Sequence, residues 1–196
     1  LLFNIMVWQS TARSYGGDWM EADGKITVDS EAFRKGLELY KKLYDAGATP
    51  RDSLSYEFAE ANAAYAAGQV AAMVQWNAAA ADLTNAEKSP AVGEVTATIA
   101  PPAGPEARAT HIHGLGLGLN KSAENKEGAK AFLKWLSTEE AALIYARAGG
   151  APALSADAVS AVAEERPDLV QLGEYAGAYG YVMNGGASAN ALAIYE

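Results

Sequence analysis

The chain has 196 residues, half of them hydrophobic and a fifth charged, which is enough length and apolar content for a core without covalent staples. A net charge of −9 argues against nucleic acid and anionic membrane surfaces as partners, since both call for a basic face. Cysteine is absent, which excludes disulfides, thiolate metal sites and cysteine nucleophiles, and no apolar run reaches the length of a membrane span.

Residues 1–8 open with a stretch apolar at every position but Asn4, which predicts a buried strand. No basic-then-apolar signal segment precedes it, and such a strand needs partners upstream, so the expectation is an incomplete chain. An aromatic loop follows, ending in Tyr15-Gly16-Gly17-Asp18-Trp19, then a turn at Asp23-Gly24 within a short β-like piece. Asp29 or Ser30 caps a predicted helix running to about Ala46. Phe33, Leu37, Tyr40 and Tyr44 share one face of it, Gly47 stands at its C-terminal end and Pro50 blocks continuation. A second helix is expected over 55–67, a strand over 70–74, and an Ala-rich helix over 77–87 entered through Trp76-Asn77.

Residues 95–99 alternate as a strand and lead into the stiff Pro101-Pro102-Ala103-Gly104-Pro105 connection. In 114–119 glycine and leucine alternate, which on a strand places three leucines on one face and three glycines on the other. A bare glycine face implies close approach by a backbone or a ligand. Ser122 starts a helix with Ala129, Phe132, Leu133 and Leu136 on one face. Ser137 and Glu140 form a capping box for the next, which ends at Gly149-Gly150. Helices over 156–165, capped by Ser155, and over 168–176 precede a Gly- and Ala-rich loop from 177 to 191. Strands alternating with helices predict an α/β architecture, with all-α the competitor.

Tests for catalysis fail one by one. A serine triad needs a base and an orienting acid, yet His111 and His113 are the only histidines. No nucleophile elbow is present, because Gly186-Ala187-Ser188 is followed by Ala and Asn. His111 and His113 would share a strand face and could bind zinc, but no third ligand is spaced to join them. A metal-dependent hydrolase built on this pair is the rival reading; a structural histidine, or His113 as a ligand contact, are the others. The glycines of 114–118 lack the spacing of a dinucleotide fingerprint. Trp8, Trp19 and Trp76 lie at strand ends or in loops, where an indole ring can stack on the C–H face of a sugar, or simply plug a core. Trp135 reads as helix packing.

Taken in order, several segments resemble the extracellular solute-binding proteins of ABC importers, in the sugar-binding branch typified by maltose-binding protein. They are Leu2-Phe3-Asn4 with the Gly16-Gly17 loop, Phe58-Ala59 through Gly68-Gln69-Val70-Ala71-Ala72-Met73 to Trp76, Pro101-Pro102, the 114–117 strand, 125–133, and Gly149-Gly150-Ala151-Pro152. The resemblance implies a periplasmic-binding-protein-like, two-lobed α/β fold of type II that closes on a ligand. It would place 1–94 in the second lobe, 95–100 as a hinge crossing, 101–155 in the first lobe, and 156–196 back in the second. It also implies a non-catalytic monomer, in the periplasm or outside the cell, with or without a lipid anchor. That monomer would bind a sugar or polyol, with a non-sugar solute such as an amino acid, oligopeptide or polyamine as the alternative, without cofactor or metal, for delivery to permease subunits. Its pocket positions would fall at Trp8, Gln9, Tyr15, Trp76, Asn77, His113, Gly114 and Leu115. Many relatives carry an aromatic residue where this chain has Leu115, which leaves the ligand's size open.

Overall fold

A short, mostly apolar stretch such as residues 1–8 can be a buried strand or one stretch of a packed helix, and periodicity alone does not separate them. Here it is a helix. The computed structural model describes residues 2–21, 23–153 and 155–182, with side chains from residue 7 onward. Helix α1, Leu2–Ser14, replaces the strand expected over 1–8. Trp8 and Ala12, four residues apart, point from it toward the same apolar cluster, the i, i+4 relation that a strand would not give.

The chain forms two compact units. The first comprises residues 1–75, 99–112 and 175–196, the second 76–98 and 113–174. These units group 76–94 and 156–174 with 113–155, whereas the family-based lobes do not. A lobe is defined by what moves together on closure and a unit by how contacts cluster.

In the first unit, α1 ends in a turn at Gly16, whose φ of +83° suits glycine, and Gly17 N donates to Ala12 O. The expected β-like piece is a Met20–Ile26 bridge closed by the Asp23-Gly24 turn, with Lys25 N donating to the Asp23 carboxylate. Helix α2, Glu31–Asp45, matches its expected bounds and ends with Gly47 at φ +71°. Gly36 lies against the Trp8 indole, where a Cβ would come within 3.2 Å of Cδ1, so α1 and α2 approach closely there. Ala12, Trp19 and Phe33 form the core, with Trp8, Met20 and Val28 packed on it. Helix α3 is Phe58–Ala66, followed by Gly68 at φ +71°. Strand β1, Thr110–His111, runs parallel to β2, Gly180–Tyr181.

The second unit opens with a 3₁₀ turn, Asn77–Ala79, that runs into the short α4, Ala80–Leu83, in place of the longer helix expected over 77–87. Asn85 ends it by accepting from the Glu87 and Lys88 amides, a local turn that competes with the helix. Helix α5, Lys126–Leu136, is capped by the Asn125 side chain, four residues after the expected start at Ser122. Helix α6, Glu139–Arg147, takes Thr138 as its cap; Ser137 instead turns its hydroxyl back to Lys134 O at the end of α5. Ser155 caps α7, Ala156–Ala161, as expected, and α8 spans Pro167–Tyr179. Ala146, Val162 and Leu169 form this unit's core.

The strands expected over 70–74, 95–99 and 114–119 are not hydrogen-bonded strands among the described residues. Residues 177–181, expected as loop, finish α8 and form β2. The rest of that tail, with Gly186-Ala187-Ser188, lies outside the described residues.

Candidate functional site

Of the expected site residues, Trp8, Gln9 and Tyr15 fall in the first unit. Trp8 is half-buried on α1, its indole N–H donates to Phe33 O at 2.9 Å, and its ring meets Phe33 edge to face at 5.0 Å. Its polar handle is thus satisfied within the unit. Gln9 is fully buried, and neither its amide nitrogen nor its amide oxygen has a partner among the described residues. Trp19, weighed as a ligand contact, is instead a core residue.

Tyr15 lines an open hollow of about 440 Å³ with Asp18, Thr27, Ser30, Glu31 and Lys35. Asp18 is ion-paired with Arg13, and Glu31 with Lys35 at 3.3 Å, so the rim offers paired charges and hydroxyl groups. The Ser30 hydroxyl is buried there without a partner among the described residues.

Trp76, Asn77, His113, Gly114 and Leu115 fall in the second unit. Trp76 caps the 3₁₀ turn in extended conformation, which brings its ring out of the helix, and it is 38 % exposed. Asn77 and His113 are exposed. Gly114 has nothing within 4 Å of its Cβ position, and Leu115 is 90 % exposed. The close approach expected on the glycine face is therefore absent among the described residues. A second open hollow, about 520 Å³, lies in this unit against Thr84, Asn85, Lys88, Thr98, Arg147 and Gln171.

Sequence reasoning missed two polar centres. Arg166 is buried and makes a bidentate pair with Asp168, at 2.8 and 2.7 Å, while its third nitrogen donates to Ala146 O and to Gly150 O. It thereby closes the C-terminal end of α6. The signal was present: an Arg-Pro-Asp run places proline at the first position of α8 and an acid in its first turn. The other centre joins α1 to β2. Ser10 Oγ and Tyr181 Oη share a hydrogen bond of 2.8 Å, and the Arg13 guanidinium lies 4.1 Å over the Tyr181 ring. Burial pushes the Tyr181 phenol up to about 12, against the opposing pull of Ser10 and Arg13.

Among the described residues no group of three histidine, aspartate or glutamate side chains could hold a metal ion, so His111 and His113 find no third ligand there. His111 packs edge-on to Tyr181 at 5.7 Å. Among the same residues no helix is long and apolar enough to cross a membrane.

Comparison with known proteins adds a family. The model of the bacterial extracellular solute-binding proteins matches residues 4–143. The chain is 28 % identical over 149 residues to a probable amino-acid ABC transporter periplasmic-binding protein, y4oP, of Sinorhizobium fredii, covering 76 % of this chain and 33 % of that one. It superposes on maltose-bound MalE3 of T. maritima with a TM-score of 0.83 at 25 % identity, over 97 % of this chain and 50 % of that one. The chain thus spans about a third of the curated relative and half of the solved structure, and its fold is periplasmic-binding-protein-like.

Proposed function

The chain belongs to the bacterial extracellular solute-binding proteins, and on that premise we propose that the whole protein captures a small neutral solute and passes it unchanged to an ABC import permease. The structural likeness to a maltose-bound protein over nearly the whole chain carries the choice of a sugar or polyol. In this reading Trp76 supplies the apolar ring for a sugar face, and Asn77, His113 and Tyr15 supply hydrogen bonds to hydroxyl groups. Gly114 and Leu115 leave room beside His113. Trp8 and Gln9 act at one remove, as packing within the first unit. The lobes follow the family division, with 95–100 as the hinge crossing, and the protein works in the periplasm or outside the cell as a monomer. Nothing in the reading requires a cofactor or a broken bond.

Thermal-shift titration of the whole protein against sugars and polyols tests it. Stabilisation should grow with the logarithm of ligand concentration above Kd, and no shift with any carbohydrate would defeat the sugar assignment.

A second reading follows from the curated relative, whose printed name makes it a probable amino-acid transporter component. An amino acid carries both charges and would need a committed opposite charge for each. Arg13, Arg147 and Arg166 are each held by an acid, Asp18, Glu165 and Asp168 respectively. The likeness to a maltose-bound structure over nearly the whole chain favours the neutral ligand. Binding of an amino acid with no response to sugars would reverse the order.

A further inference from the structure

Asp23 is the only aspartate in the sequence with a glycine after it. The pairing matters because a side-chain carboxyl can react with the peptide nitrogen that follows it, and a Cβ on the next residue hinders the approach. Here nothing hinders it. Gly24 has φ +89° and nothing within 4 Å of its Cβ position, and both residues are exposed. The Lys25 amide donates to Asp23 Oδ1 at 2.9 Å, an Asx turn that folds the carboxyl back over the Asp23–Gly24 peptide and polarises its carbon. Gly24 N donates to Glu21 O at 2.9 Å, so attack waits on the opening of this one bond in an exposed turn. Every other aspartate precedes a residue with a Cβ, and Asp18, Asp45, Asp82 and Asp168 are further held in ion pairs.

We propose that Asp23 is a site of spontaneous isomerisation to isoaspartate in the folded protein. The Gly24 nitrogen bonds to Cγ of the protonated carboxyl group, and its own proton leaves with the carboxyl hydroxyl as water. A five-membered succinimide results. Water then opens the ring. Breaking the bond from the nitrogen to Cγ restores aspartate, whereas breaking the bond to the main-chain carbonyl carbon reroutes the backbone through Cβ and Cγ. Composition is unchanged and nothing is oxidised or reduced. The rerouted backbone carries an extra carbon atom inside the turn that closes the Met20–Ile26 bridge. Glu21 N to Lys25 O and Thr27 N to Trp19 O, both 2.9 Å, hold that segment together, and it seats Trp19 and Met20 in the core of the first unit. The modification therefore loosens that seat. The inference concerns ageing of the chain and stands apart from the solute reading.

Prolonged incubation of the whole natural protein at neutral pH, well below its unfolding temperature, tests it. Peptide mapping with isoaspartyl methyltransferase labelling should find label at Asp23 before any other aspartate. Mapping also separates any label at Asn184-Gly185, the related asparagine pair outside the described residues. Protein fractionated with label at Asp23 alone should unfold at a temperature at least about 2 °C lower than the fresh protein. Label at Asp23 in urea-unfolded protein but not in folded protein would overturn the proposal, since the turn would then protect the residue. So would label at another aspartate first, or a modified protein of unchanged stability.

Discussion

The indole nitrogen of Trp8 donates to the main-chain oxygen of Phe33 across 2.9 Å while the two rings meet at 86°, so one residue of α1 grips α2 by both a polar and an apolar contact. Trp8→Ala should cost about 3 kcal/mol, the lower end for a tryptophan because the ring is half-buried. Trp8→Phe keeps much of the area and loses the hydrogen bond, at about 1 kcal/mol. Denaturant unfolding measures both. A weakened affinity for solute with unchanged stability would instead make Trp8 a direct ligand contact.

Gln9, next on the same helix, is buried with an amide that finds no partner among the described residues. An unmet buried amide costs about 1–3 kcal/mol, and methionine has nearly the same length and shape. Gln9→Met should therefore stabilise the protein by about 1 kcal/mol, read as a higher denaturation midpoint at unchanged slope. A clear loss of stability would show that the amide is satisfied in solution.

Arg166 is buried and its partner Asp168 half-buried, and the arginine also holds two carbonyls at the end of α6. Arg166→Ala strands a partly hydrated carboxylate and should cost about 3 kcal/mol, the low end for breaking a buried pair. The Arg166→Met, Asp168→Leu double variant should recover most of that loss. Equal losses in the single and double variants would mean that the carbonyl contacts, not the ion pair, dominate.

Tyr181 gives an alkaline signature. Its folded-state value of about 12 lies above the ordinary 10.0, so the native state favours the neutral phenol. That stability is fully present below pH 10 and fades as pH rises toward 12, because the unfolded chain loses the proton first. Tyr40, also raised by burial, adds in the same direction. Tyr181→Phe should lower stability at neutral pH through loss of the Ser10 hydrogen bond, and flatten the decline above pH 10. An unchanged alkaline profile would show that the phenol is not the group responsible.

How much of this was legible in the residues varies with the kind of signal. Helix α2 was readable in full, because Phe33, Leu37, Tyr40 and Tyr44 carry the helical period and Gly47 and Pro50 stop it. Ser155 was legible as a cap, since the motif is local. The opening helix was not, because a stretch apolar at nearly every position carries no period to read. The strands failed for another reason. A strand is defined by its neighbour, and 114–119 has no ladder partner among the described residues. Trp19 and Trp76 were alike in sequence, one in a loop and one at an expected strand end, yet only the fold tells a core plug from an exposed ring. Of the Arg166 contacts only the pair with Asp168 was marked, by the Arg-Pro-Asp run; Ala146 O and Gly150 O are backbone atoms that sequence does not mark.

The most direct test is calorimetric titration of the whole natural protein with a panel of neutral sugars, polyols and amino acids, repeated with Trp76→Ala and with product analysis of each mixture. Saturable binding of at least one sugar or polyol is expected, with a loss of at least about tenfold in the variant, equivalent to about 1.4 kcal/mol, and every ligand recovered intact. Binding confined to amino acids, or any ligand recovered chemically altered, would contradict the proposal that this protein holds a neutral solute without transforming it.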